Sequence, residues 1–206
     1  MLIGAGLKRA GHKREEILAS AAALFLRQGY ADAGMEVVAR TAMVSTATLY
    51  AYFPSKADLF KAIVMETVEA LSAPVREATR TKGDARARLN ALASAYAALQ
   101  ARPETRAVFR MVTSQRRRFE DVADYFLHAA RDEVGGAALA VIQDLARTGE
   151  LKVDKASWAT GQLLGMLDHA TLTLGLTAGD PVEPRRSVTA IAEDAVETFL
   201  ARYGAR

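Results

Sequence analysis

The sequence predicts an all-α protein of about nine helices. Three observations predict it. Strand signals are nearly missing, with no long alternating Val/Ile/Thr/Tyr runs and no Asn-Gly or Asp-Gly turns between such runs. Apolar residues recur at helical spacing, as in Ile17, Ala21, Leu24 and Phe25, and again in Val188, Ile191, Ala192, Ala195 and Phe199. Caps and breakers bound those stretches, with Gly29 closing the first and Pro181 and Pro184 preceding the last.

Taken in order, the helices fall near residues 11–28, 35–41, 46–52, 56–80, 84–101, 103–117, 120–147, 153–177 and 184–203. The first three are short or closely spaced and form a small unit. Gly135-Gly136 lies inside the seventh, where it would kink or split the helix. The fourth joins the small unit to a larger helical part without a flexible linker. The expected domains are therefore 1–56 and 57–206.

Composition narrows the function classes. A chain of 206 residues, half of them hydrophobic, can bury a core without staples. The absence of Cys excludes thiol catalysis, disulfides and thiolate metal sites. The opening MLIGAGLKRAGHK runs from apolar to basic, the reverse of a secretory leader. The least charged stretch, Ala156 to Gly179, is interrupted by Asp168-His169 and reads as a buried core or interface helix instead of a membrane span. A cytoplasmic protein with no membrane partner is expected. Net charge is +3, and residues 1–56 carry the excess, through Lys8, Arg9, Lys13, Arg14, Arg27, Arg40 and Lys56. That placement suits phosphates.

Residues 35–60, MEVVARTAMVSTATLYAYFPSKADLF, carry the chemistry. A helix from Met35 to about Thr41 buries Val38 and Ala39, and a tight turn follows at Ala42-Met43-Val44-Ser45. Ser45 suits the N-cap of the next helix, Thr46 to Tyr52. Leu49 and Phe53 point inward, which leaves Thr46, Ala47, Thr48, Tyr50 and Tyr52 on the other face. Small residues let such a helix enter a major groove, where methyls pack on thymine and hydroxyls reach base edges or phosphates. Pro54 stops the helix, Ser55 caps the next, and Lys56 near that N-terminus offers a phosphate seat. The basic segment Lys8, Arg9, His12, Lys13 and Arg14 is either an arm for backbone or minor groove, or a solvated tail.

These residues resemble the TetR family of transcriptional regulators. The likeness runs through Ile17, Ala21, Phe25, Gly29-Tyr30, Val38-Ala39, Val44-Ser45, Thr48-Leu49-Tyr50, Tyr52-Phe53, Ser55-Lys56 and Leu59-Phe60. It covers about a quarter of the chain. Three positions depart from the pattern. Met43 stands where a turn Gly is usual, Gly34 where a capping, phosphate-contacting Thr is usual, and Ala47 where Gly is common.

The resemblance implies a double-stranded DNA operator as partner, contacted through Gly34, Ser45, Thr46, Ala47, Thr48, Tyr50, Tyr52 and Lys56. It also implies repression, and a C-terminal domain for effector binding and dimerisation that pairs as a homodimer through its last two helices. Two recognition helices held by symmetry would read half-sites roughly 34 Å apart. A small, largely apolar effector would sit between the fifth to eighth helices, with Phe109, Met111, Phe126, Trp158, Met166 and His169 as candidate liners. By shifting helical packing it would swing the N-terminal units through the continuous fourth helix. Arg116-Arg117-Arg118 reads as a solvated face or as charge compensation at a helix C-terminus. No cofactor or metal is expected.

Two alternatives stay open at this point. One is a DNA-binding regulator without a small ligand, either constitutive or answering to a protein partner. A cavity of about 300 Å³ or more would argue for a ligand instead. The other is an all-α enzyme, which three scattered histidines (His12, His128, His169) and the lack of any HExxH or Gly-rich phosphate loop disfavour.

Overall fold

The computed structural model describes residues 2–178 and 186–205, with side chains for 12–177 and 186–205. The described residues form only helices, turns and one isolated bridge. In order these are α1 (Leu2–Asp32), α2 (Met35–Thr41), α3 (Thr46–Tyr52), α4 (Lys56–Ala78), α5 (Ala85–Ala101), α6 (Pro103–Gln115), α7 (Glu120–His128), α8 (Gly136–Arg147), α9 (Ala156–Asp168), α10 (Leu174–Ala178) and α11 (Val188–Tyr203). α7 and α8 join through a π-helical stretch, Ala129–Gly135, and α9 and α10 through another, His169–Thr173. Each joined pair is one continuous helix, so nine helices result.

Local chemistry explains most boundaries. Gly29, at φ 80°, breaks the helical run of α1 where a C-terminal cap is expected. Asp84 and Ser187 accept the N–H of Ala87 and Ala190 and so cap α5 and α11. Pro103 opens α6, where a missing N–H costs nothing. At the end of α8, Glu150 N–H reaches Leu145 O at 2.9 Å and Gly149 N–H reaches Ala146 O at 3.1 Å. Gly149 supplies the left-handed residue of that closing turn, at φ 82°.

Two expectations are corrected. α1 begins at Leu2, upstream of the expected start near residue 11. Gly135-Gly136 neither kinks nor splits its helix: both keep right-handed helical angles, and the irregularity is the π-helical stretch just before them. The fourth helix runs through Pro74 to Ala78, close to the expected 56–80. The breakers Pro181 and Pro184 lie outside the described residues.

The chain divides into two compact units, residues 1–67 with 111–123 and residues 68–110 with 124–206. The first therefore reaches past residue 56 and takes in the turn between α6 and α7. Its core explains why. Phe119 packs edge-on against Tyr30 and tilted against Phe60, with ring centroids 5.0 Å away in each case. Phe25 also meets Tyr30, at 5.7 Å. The second unit is built on Leu89, Leu92, Ile142, Leu145, Leu163 and Phe199, all buried. Its final turn is fastened where Lys152 N–H donates to Tyr203 O at 2.7 Å. No helix among the described residues is long and apolar enough to cross a membrane.

Candidate functional site

In the first unit, α2, a turn and α3 form the expected helix-turn-helix. Ser45 is extended (φ −71°, ψ 153°), and its hydroxyl accepts the Thr48 N–H at 3.0 Å. The Ser45 and Thr48 hydroxyls also bond one another at 2.8 Å, which ties the start of α3 together. Leu49 and Phe53 are buried and fix the inner face of the helix. Thr46, Ala47 and Tyr50 are exposed, Thr48 and Tyr52 half-buried. A polar, small-headed surface thus faces outward from a helix that is capped and anchored from within. Gly34 precedes α2 in extended conformation and provides no side-chain cap.

The turn before α3 uses a costly residue. Val44 N–H bonds Ala39 O at 2.9 Å and Met43 N–H bonds Arg40 O at 3.2 Å, the same closing pattern found at Gly149. Its left-handed position falls on Met43, at φ 53°, with the side chain 87% exposed. A side chain there costs about 1 kcal/mol relative to glycine. The strain anticipated for this Met is present.

Lys56 stands at the start of α4, where the sequence places it. Its ammonium donates to Ala31 O at 2.9 Å and lies 4.6 Å from the centre of the Tyr30 ring. Burial foremost, then the Arg118 charge, pulls its pKa down, against the pull of Asp32. Lys56 therefore caps the end of α1 within its own unit. Arg118, exposed as expected, also lies 5.3 Å over the same Tyr30 ring. The three-arginine run reads from sequence as a solvated face or as helix C-terminal charge compensation, and only the fold brings Arg118 to α1. Within the basic segment, His12 and Lys13 pair with Glu16 at 3.3 and 3.7 Å, and Arg14 pairs with Glu66. The side chains of Lys8 and Arg9 lie outside the described ones.

The second unit holds a cavity of about 80 Å³. Val68, Leu71, Leu99, Phe126 and Val134 form much of its wall, with Ser72, Tyr96, Gln100 and Thr105 as polar liners. Behind one side, Tyr96 O–H donates to Asp168 at 2.8 Å, and Gln100 Nε2 donates to Asp168 at 2.8 Å and to Tyr96 Oη at 2.9 Å. Burial first, then the Asp168 charge, pushes the Tyr96 phenol well above its ordinary value, so it stays neutral. Behind Ser72, Arg76 bonds both Ser72 Oγ at 2.9 Å and Glu133 at 3.0 Å.

Of the six expected liners, the structure brings Phe126 to this cavity, where Phe109 stacks edge-on against it at 5.8 Å. Met166 packs against the core of the unit. Met111 is buried in the first unit. Trp158 is 68% exposed and His169 is exposed, since both lie on the outer face of their helix. Tyr96 and Gln100 were missed, although their spacing of four residues places them on one face of α5.

A capped, outward-facing helix after a tight turn, on a three-helix platform, is the architecture of a helix-turn-helix DNA-binding regulator. Residues 17–63 match the family described as "Bacterial regulatory proteins, tetR family", and residues 87–205 match "AefR-like transcriptional repressor, C-terminal domain". The chain belongs to the TetR family of DNA-binding transcriptional regulators. A stretch of 84 residues is 39% identical to the HTH-type transcriptional activator FasR of Mycolicibacterium smegmatis, covering 41% of this chain and 38% of that protein. A TetR-family regulator from Mesorhizobium loti superposes with a TM-score of 0.85 at 25% identity, covering 95% of this chain and 98% of that one. The Flavonoid-responsive Regulator FrrA superposes at 0.73 with 26% identity, covering 95% and 99%.

Proposed function

We propose that the protein is a cytoplasmic, homodimeric repressor that α3 seats on a palindromic operator and that a small, largely apolar effector releases. The observation that carries the DNA reading is the outward face of α3, with Thr46, Ala47, Thr48 and Tyr50 presented beside the Ser45 cap. Gly34 and Tyr52 flank that face, and Lys56 acts through its hold on α1. The DNA-binding domain is residues 1–56, and residues 57–206 bind effector and partner subunit. Pairing through α9, its continuation and α11 is supported by the exposed stripe Trp158, Gly161, Gln162, Gly165 and His169. Such pairing sets two recognition helices one helical turn apart.

Four polar liners in an apolar cavity support effector binding, and the name of FrrA supports a small-molecule signal. At about 80 Å³ the cavity is below ligand size. An effector must widen it, so it binds one packing state better than the other, which release requires. FasR is named an activator, and that is the second reading of the output.

The test begins with genomic fragments captured by the purified protein and sequenced. On the recovered duplex, Tyr50→Ala weakens binding by about tenfold whatever the sequence, and Thr48→Ala costs about 1 kcal/mol at particular base pairs. If both variants bind like the parent, α3 does not make these contacts. A promoter fusion on the same fragment separates repression from activation.

A further inference from the structure

Between α6 and α7 the chain presents three consecutive arginines, Arg116, Arg117 and Arg118, all exposed. Among the described residues none of the three forms an ion pair. Several guanidinium groups of the second unit are held by carboxylates: Arg76 holds Glu133, Arg80 Glu77, Arg86 Glu197 and Arg88 Asp144. Even inside the first unit, Arg14 and Lys61 are neutralised by Glu66 and Asp121. The arginine turn sets three such guanidinium groups side by side with no carboxylate on any of them among the described residues.

That turn is held firmly. Gln115 O accepts both the Arg118 N–H at 2.9 Å and the Phe119 N–H at 3.0 Å. Phe119 is wedged between Tyr30 and Phe60, and Arg118 lies over the Tyr30 ring at 5.3 Å and over Phe119 at 5.5 Å. Lys61 grips Asp121 at the start of α7. Arg118 and Phe119 thus act as anchors, while Arg116 and Arg117 extend into solvent from a fixed base. Lys56 approaches the same Tyr30 ring, with Asp32 near it, so a further positive charge lies close to Arg118. The whole formal excess of +3 falls on residues of the unit that carries the helix-turn-helix.

We propose that Arg116 and Arg117 form a second DNA contact, gripping backbone phosphates of the duplex beside the segment that α3 reads. Guanidinium forks match phosphate oxygens in paired hydrogen bonds, and an anchored turn limits the ordering cost of making them. The contact is independent of base sequence: it adds affinity and salt dependence, and leaves base preference to α3. Double-stranded DNA is the partner because the patch belongs to the same compact unit as the reading helix. The proposal rests on the DNA-binding reading, which binding by the unmodified protein tests separately.

The experiment measures anisotropy of a labelled mixed-sequence duplex of about 40 base pairs, with full-length protein, between about 50 and 200 mM salt. Arg116→Gln with Arg117→Gln is expected to lower the slope of log affinity against log salt by about 1.8, and to weaken binding about tenfold at low salt. Arg116→Lys with Arg117→Lys keeps most of the slope, since phosphates are read by charge. A matched loss of two charges in the second unit, Arg80→Gln with Arg147→Gln, leaves the slope within about 0.3 of the parent. An unchanged slope in the first glutamine pair overturns the proposal, as does an equal fall in the control pair. Absence of salt-dependent binding by the parent overturns this contact and the DNA reading together. Thermal melting of each variant shows that the fold is kept.

Discussion

The two units handle polar groups in opposite directions. In the first, aromatic rings fill the centre while hydroxyls and guanidinium groups point outward from α3 and the arginine turn. In the second, Ser72, Tyr96, Gln100 and Thr105 line a small cavity, and several surface arginines are closed off by carboxylates. On the arginine turn the cations are left without carboxylate partners among the described residues. Around the cavity the polar atoms have protein partners, because bare buried polar atoms would be costly.

The largest predicted effect breaks the first half of that contrast. Phe119→Ala removes the ring shared by Tyr30 and Phe60 and is expected to cost about 3 kcal/mol in urea unfolding. Amide exchange should speed up in residues 17–63 more than in 87–205, and uniform acceleration would mean the two units unfold as one. A smaller loss tests the inward network. Tyr96→Phe deletes one donor to Asp168, but Gln100 still bonds that carboxylate, so the cost is about 1 kcal/mol. An unchanged midpoint would mean that the Tyr96 hydroxyl contributes nothing net. The smallest effect has the opposite sign. Met43→Gly relieves the left-handed residue and should gain about 0.5 kcal/mol, while Gly149→Ala at the same turn geometry should lose about 1 kcal/mol. Equal shifts of one sign would refute strain as the difference between them.

Much of the first unit was legible because its determinants are local. Ser45 lies three residues from the N–H it caps, and the left-handed turn was visible as a Met in a position suited to Gly. The helix boundary at Pro103 was equally close at hand. The cavity was not legible, since Tyr96 and Asp168 stand 72 residues apart and meet only when α5 packs against the end of α9. Neither π-helical stretch has a local signature, as Ala129–Gly135 reads as ordinary helix. Trp158 misled for a simple reason: a large aromatic ring signals burial, yet this one lies outward on α9 with Lys155 over its face at 5.0 Å. Hydrophobicity alone does not say which side of a helix is inside.

That outward ring has an optical consequence. Trp158 is the only tryptophan of the chain. Light absorbed beyond the tyrosine band is therefore emitted from a single address, on the outer face of α9. Water contact sets its colour, and anything that covers that face shifts the emission to the blue. The protein carries its own dye, placed on the surface proposed to meet a second subunit and absent from the unit that meets DNA.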